Sequence, residues 1–380
     1  MQDRESIGLN LLAARRETHV GVERFVRSIV GRINVPREWT IRIATRTGVE
    51  IDSLLGSRFI QRYVKLEHTT WNSGSTPWRI GLEMVPLAIK FFGCTKVLSI
   101  NNFGPLFGKR GQRRIVVIHD VWFMSDTYEG SAIVRYVFGL LLRIQLLCVH
   151  EIITVSEFSR KEIAEKLGVA ANRIIVVPNC LDEIDIAKTE AMTDSIAEQE
   201  YFLLIGSDRS NKNVVNAVRG FQSFNSRSTK KALLIVVGTY SKPFIESIVS
   251  RLNTTTAQRV QFRNYVERAE LLTLISSAIG IVFPSLYEGY GIPVIEAIAY
   301  NKAVLVARNT VCEELAGPFG VVVDANSVDS IAKGFDDLIG KVDTVKITEL
   351  SEYRAKFFGC ERSAAIMSSI LMQSGDLALT

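Results

Sequence analysis

The chain has 380 residues, 47% of them apolar, and a formal net charge of +5; that is too long for one ordinary core and predicts two domains of usual size. Five scattered cysteines with no C-x-x-C pair argue against a disulfide framework or a zinc site and fit a reducing cytoplasm. The charge is divided unevenly: residues 1–180 carry 25 Lys and Arg against 16 Asp and Glu, a net of +9, and the remainder a net of −4, so the first half suits an anionic partner.

No basic stretch with an apolar core opens the chain, so no secretory signal is expected. Ile7–Ala14 is a buried-strand candidate, and Val22, Phe25, Val26, Ile29 and Val30 recur at helical spacing just after Gly21. A helix N-terminus then faces the carboxyl end of a strand, the ligand side of a doubly wound sheet. Further short strands are predicted at Thr40–Ala44, Lys96–Ile100 and Arg114–His119, with a helix over Ile80–Phe92 between them. Residues 68–79 are polar with two tryptophans and read as an exposed loop suited to acceptor contact. His119 and Asp120 end a strand at the edge where α/β proteins place functional side chains, although a lone histidine is more often structural. The segment Ala132–Val149 is apolar, but Arg135 and Arg143 interrupt it before the roughly 18 charge-free residues of a membrane span. A buried or interfacial helix is expected there.

A strand at Ile152–Ser156, an amphipathic helix at Glu157–Leu167 and a strand at Arg173–Pro178 complete the first alternating series. Residues 182–200 run acidic and weakly apolar, which marks a domain boundary. The second series opens with the strand Tyr201–Gly206, the loop Ser207–Asn213 and the helix Val214–Phe224. Lys212 therefore stands just before a helix N-terminus, where a cation can neutralise a phosphate, or is an ordinary surface lysine. The strand Ala232–Val237, a helix near Lys242–Leu252, the strand Val260–Phe262 and the helix Ala269–Ala278 follow. Strands at Ala303–Ala307 and Gly320–Asp324, a helix at Val328–Ile339 and a largely helical tail from Glu349 to Met372 end the chain. Alternating strands and helices argue for parallel sheets.

Between these elements lies the most informative stretch, Val282-Phe-Pro-Ser-Leu-Tyr-Glu288-Gly-Tyr-Gly-Ile-Pro-Val-Ile-Glu296. It reads as strand, glycine loop and a helix opened by Pro293. Glycines let a ligand approach the backbone, and the helix N-terminus attracts an anion. Ionised Glu288 and Glu296 accept hydrogen bonds from sugar or ribose hydroxyls. Spacing alone leaves open that Glu296, placed in the first helical turn, only complements the helix dipole and that Glu288 is a solvated loop residue.

Taken in order, Gly21-Val-Glu-Arg24, His119-Asp120, Val155–Ser159, Val177-Pro-Asn179, Gly206 with Lys212-Asn213, the Glu288–Glu296 stretch, Glu313–Gly317 and Phe358–Glu361 resemble glycosyltransferase family 4 over nearly the whole chain. The resemblance implies the GT-B fold: two Rossmann-like domains facing across a cleft, 1–185 for the acceptor and 186–355 for the donor, with a C-terminal helix, 356–380, crossing back to the first. It makes Glu288 and Glu296 the E-x7-E pair, with Glu288 on donor-sugar hydroxyls and Glu296 on the nucleotide ribose. Lys212 would meet the donor diphosphate beside Gly206, with Arg209 as a nearby cation, and Gly289, Tyr290, Gly291 and Ile292 would lie against phosphate and sugar. His119 would stand near the reacting carbon, and Gly21 and Asp120 would line the acceptor side. The chain departs from the family in having one glycine near Gly21, Asn211 before Lys212, Cys180 after Asn179 and Asn301 where glycine is common.

The resemblance further implies retention at the anomeric carbon; because no carboxylate is an obvious covalent nucleophile, transfer without a glycosyl-enzyme is expected. No aspartate pair has metal-ligand spacing, so neither metal nor other cofactor is expected. GDP-mannose is the first donor expected and a UDP-hexose the second; the acceptor is a saccharide or lipid-linked saccharide of cell-surface polysaccharide. The expected location is the cytoplasm, extending to peripheral attachment at the anionic inner face of the plasma membrane. Nucleic acid is not an expected partner, there being no zinc-finger spacing or RNP-type motif. The rivals are a glycoside hydrolase, a phosphorylase or nucleotide-sugar epimerase on the same fold, and a non-catalytic binding subunit.

Overall fold

The computed structural model describes residues 5–14, 21–63, 65–72, 75–181, 200–341, 353 and 359–373. They form two compact units, one of residues 1–124, 129–180 and 359–380 and the other of 125–128 and 181–358.

In the first unit seven strands, β1 (Ser6–Leu11), β2 (Thr40–Arg46), β3 (Lys65–Trp71), β4 (Lys96–Ser99), β5 (Arg113–Val117), β6 (Glu151–Thr154) and β7 (Ile174–Val176), make one parallel sheet ordered β3-β2-β1-β4-β5-β6-β7. Every residue of β1 is buried, as a strand covered on both faces must be. The connections are α1 (Gly21–Ser28), α2 (Ile51–Leu55), α3 (Ser57–Arg62), α4 (Thr76–Met84), α5 (Pro86–Lys90), α6 (Ala132–Cys148) and α7 (Glu157–Leu167). Strand order runs one way from β1 to β3 and the other way from β4 to β7. Right-handed crossovers therefore put α1 to α3 on one face and α4 to α7 on the other. A shared cluster of Ile80, Met84, Leu142, Leu146, Ile163 and Leu167 against Val116 and Ile152 is that second layer.

Two expectations need correction here. The loop read at 68–79 is in its first part the edge strand β3, whose outward polar side chains carry no apolar alternation because no residue of it is buried. The helix read at Ile80–Phe92 is two helices, because Pro86 has no N–H to continue the ladder and instead starts α5.

The second unit has β8 (Tyr201–Ser207), β9 (Leu233–Thr239), β10 (Val260–Arg263), β11 (Ile281–Phe283), β12 (Val304–Ala307) and β13 (Gly320–Val323), parallel and ordered β10-β9-β8-β11-β12-β13. Its helices are α8 (Val214–Arg227), α9 (Lys242–Val249), α10 (Thr254–Ala257), α11 (Arg268–Ser277), α12 (Ile292–Ala299), α13 (Val311–Ala316) and α14 (Val328–Lys341). Phe202, Phe221, Phe224 and Phe335 pack with ring centroids 5.0 to 6.5 Å apart, each burial stabilising by roughly 1.5–3 kcal/mol. Gly220 lets α8 meet α14, since a Cβ there would lie 2.4 Å from Ile331 Cγ2.

The last helix, α15 (Cys360–Met372), belongs to the first unit. Asn34 N donates to Ser368 Oγ at 2.8 Å, Ser363 Oγ donates to Pro178 O at 2.8 Å, and Arg113 donates to Ile370 O at 3.2 Å and to Gln373 O. Against the expectation from spacing, Cys180 and Cys360 form a disulfide with their Cα atoms 5.4 Å apart; partners separated by 180 residues leave no spacing signal to read. Apart from Glu200 and Tyr353, the boundary read at 182–200 and the tail read at 349–358 lie outside the described residues.

Candidate active site

In the second unit the strand order reverses between neighbouring β8 and β11, and such a reversal opens a crevice at the carboxyl ends of the two strands. β8 leads through Gly206 into the short turn Ser210–Lys212, and β11 leads through Pro284 to Glu288. Two asparagines beside Lys212 join these loops. Leu286 N donates to Asn211 O at 2.8 Å, Asn211 Nδ2 to Tyr287 O at 2.9 Å, and Asn213 Nδ2 to Pro284 O at 3.3 Å and Ala325 O at 2.7 Å. Asn213 holds a left-handed φ of 55°, which asparagine tolerates better than most residues.

The join sets Lys212 Nζ against Glu288 Oε1 as an ion pair and 5.3 Å from the centre of the Phe283 ring. Their side chains are 22% and 14% exposed, shielded enough to strengthen the charges yet reachable by a ligand. Arg209 is exposed, and its carbonyl oxygen accepts from Lys212 N at 3.0 Å to close the turn. Gly206 lies within β8, where a Cβ would come 2.7 Å from Val214 Cγ2.

Gly289, Tyr290 and Gly291 lead into α12. Gly291 is its N-cap at φ 97°, and no side chain caps the helix, so its positive end is turned to whatever occupies the loop. Glycine is required at 291 twice over, by that φ and because a Cβ would stand 3.0 Å from Cys312 Sγ. Burial pushes the Cys312 thiol and the Tyr290 phenol well above their usual ranges, so both stay neutral, Cys312 beside the charged pair. Ile292 is half-buried at the first helical position.

Glu296 does not stand in the first turn. α12 begins one residue before Pro293, which puts Glu296 in the second turn, 3% exposed, with its Oε1 2.7 Å from Arg268 Nη1. Arg268, the first residue of α11, is the partner that sequence reasoning missed; Glu267-Arg-Ala-Glu270 looks like any charged helix start, and only packing of α11 on α12 reveals the contact.

The first unit carries the other expected residues. Gly21 opens α1, exposed and with no atom within 4 Å of an added Cβ, so packing does not demand glycine there. His119 follows β5. Its Nε2 lies 2.9 Å from Ile100 O, which fixes Nε2 as the donor and leaves Nδ1 as an acceptor. The ring meets Phe25 edge-on at 5.2 Å, and desolvation pushes its pKa down to about 4; at neutral pH the imidazole is uncharged. Asp120 Oδ1 accepts from Trp122 N at 2.9 Å and shapes the following turn. The structure thus joins Lys212 to Glu288, places Gly289–Ile292 and Glu296 on the adjoining loop and helix, and keeps Gly21, His119 and Asp120 in the first unit.

The family model described as Glycosyl transferases group 1 matches residues 186–348, and that of Glycosyltransferase Family 4 matches residues 96–183. The chain is 26% identical over 335 residues to the O-antigen chain mannosyltransferase B of Escherichia coli, covering 82% of this chain and 85% of that protein. It is 27% identical over 255 residues to the O-antigen chain mannosyltransferase RfbU of Salmonella typhimurium, covering 66% and 67%. In fold it is similar to the crystal structure of a glycosyltransferase from Rickettsia africae, with a TM-score of 0.69, 15% identity and coverage of 97% and 99%.

Proposed function

The chain belongs to glycosyltransferase family 4 on the GT-B fold, and on that premise we propose that it transfers a hexosyl group, mannose first, from a nucleotide-diphosphate sugar to a saccharide or lipid-linked saccharide with retention. The observation that carries this reading is the Lys212–Glu288 pair held beside the uncapped start of α12. A departing diphosphate gains negative charge, and Lys212 with the helix N-terminus supplies fixed positive potential where it grows. Glu288 accepts from sugar hydroxyls, and Glu296, held by Arg268, accepts from the ribose. In the reaction the bond from the anomeric carbon to the phosphate oxygen breaks with both electrons going to that oxygen. The acceptor oxygen bonds to the same face, and its proton passes to the departing phosphate. His119, in the first unit, is uncharged and keeps a lone pair on Nδ1.

The resemblance to mannosyltransferases of O-antigen chains supports mannose and a cell-surface polysaccharide acceptor. The proposed setting is the cytoplasm, at the inner membrane surface; no helix among the described residues is long and apolar enough to cross a membrane. The leaving-group charge is proposed to be carried without a divalent cation. The test is nucleotide release from GDP-mannose and a panel of UDP-hexoses, with and without EDTA. GDP release from GDP-mannose, unchanged by the chelator, is expected. Sugar release from a simple glycoside with no nucleotide present, or no turnover of any donor, would sink the proposal.

A further inference from the structure

Helix α6 is apolar on both sides. Leu142, Gln145 and Leu146 are buried in the layer over the sheet, while Ile133, Tyr136, Leu140, Ile144 and Leu147 are exposed. Their spacing of three, four, four and three residues makes one stripe along the helix, about 21 Å long at 1.5 Å per residue. The exposure is not marginal: Ile133 is 75%, Tyr136 72% and Leu147 84% exposed. An unbroken apolar stripe of this kind marks an interaction surface rather than scattered surface leucines.

The charges carried by α6 have one sign. Arg135 and Arg143 are the charged residues of α6, which holds no Asp or Glu, and Arg143 Nη2 donates to Lys166 O at the helix margin. On the same face of the sheet, α5 and its flanks repeat the pattern: Val85, Ile89 and Phe92 are exposed, with exposed Lys90 between them. We propose that this face of the first unit docks on an anionic lipid surface. The α6 stripe enters the boundary between headgroups and acyl chains, and the arginines stay at phosphate level. A net of +9 over residues 1–180 adds attraction to a negatively charged leaflet. The inference deepens the proposed use of a lipid-linked acceptor, and rests on that reading only for its biological setting; the docking itself needs neither donor nor acceptor.

The test is co-sedimentation of the full chain with phosphatidylglycerol-containing vesicles and with pure phosphatidylcholine vesicles. The wild type is compared with the triple variant Ile133→Glu, Leu140→Glu, Leu147→Glu, and with Ile133→Glu alone should the triple variant fail to fold. The wild type should bind the anionic vesicles, and less so as salt rises. The triple variant should bind at least about tenfold more weakly, and the single variant measurably less, with nucleotide release from the donor unchanged. Equal binding by variant and wild type, or no binding by the wild type, overturns the proposal. So does a lipid-free dimer that the substitutions dissociate, because the stripe would then cover a second copy of this chain. Vesicle binding without donor turnover would count against the transferase reading and leave the docking face standing.

Discussion

The ion pairs Lys212–Glu288 and Arg268–Glu296, both in the second unit, are built differently. Lys212 and Glu288 sit on loops from adjacent strands, both within a solvent-reachable crevice, and a lysine ammonium is a compact charge on a flexible stem. Arg268 and Glu296 join two helices, with the carboxylate 3% exposed and the arginine's planar fork pre-organised to hold it. The first pair can exchange its partner for a ligand's phosphate or hydroxyl. The second is a brace that holds a buried carboxylate in a fixed orientation.

The largest effect that distinguishes them is Lys212→Ala, which should lower kcat/KM by about 10²–10³-fold, the usual loss on removing one stabilising group from a developing anion. Stability in urea should change little by comparison. Arg268→Ala comes next, and should act mainly on stability, by about 2–3 kcal/mol. That is below the full penalty for breaking a buried ion pair, because Arg268 is partly exposed and Glu296 keeps other interactions. A shift in the urea midpoint measures it, and pairing the change with Glu296→Gln should recover part of the loss. If Arg268→Ala instead impaired turnover as severely as Lys212→Ala at full stability, the brace would be a ligand contact and the contrast would fail. The smallest effect is Glu288→Gln, which keeps the shape and loses the charge; turnover should fall about tenfold with the pH optimum unmoved. A displaced optimum would make Glu288 a proton carrier and not a positioning acceptor.

What could be read without coordinates follows from where the signal lies. Buried parallel strands such as Ile281–Phe283 and Val304–Ala307 are continuous apolar runs, and a loop rich in glycine after such a run announces itself. Lys212 and Glu288 were found because each follows a strand and precedes a helix. Their direct pairing was not, since it depends on Asn211 and Asn213, which have the composition of any surface loop. Arg268 and Glu296 are 28 residues apart and Cys180 and Cys360 are 180 apart, distances at which the one-dimensional pattern carries no pairing information. The edge strand Lys65–Trp71 failed for the opposite reason: solvent on its faces removes the alternation that would identify it. The helix boundary at Ile292 was missed by one residue, and that shift moved Glu296 from the dipole's reach to the partnership with Arg268.

The return of α15 to the first unit has a consequence for biosynthesis. Strands β1 to β7 are translated before β8, the first strand of the second sheet, yet the helix that satisfies Arg113 and meets Asn34 begins 180 residues after Cys180. At the usual elongation rate of about 5–20 residues per second, the sheet waits roughly 10–40 seconds for its last helix. During that interval the site on the sheet for α15 is uncovered, so the domain begun first is completed last.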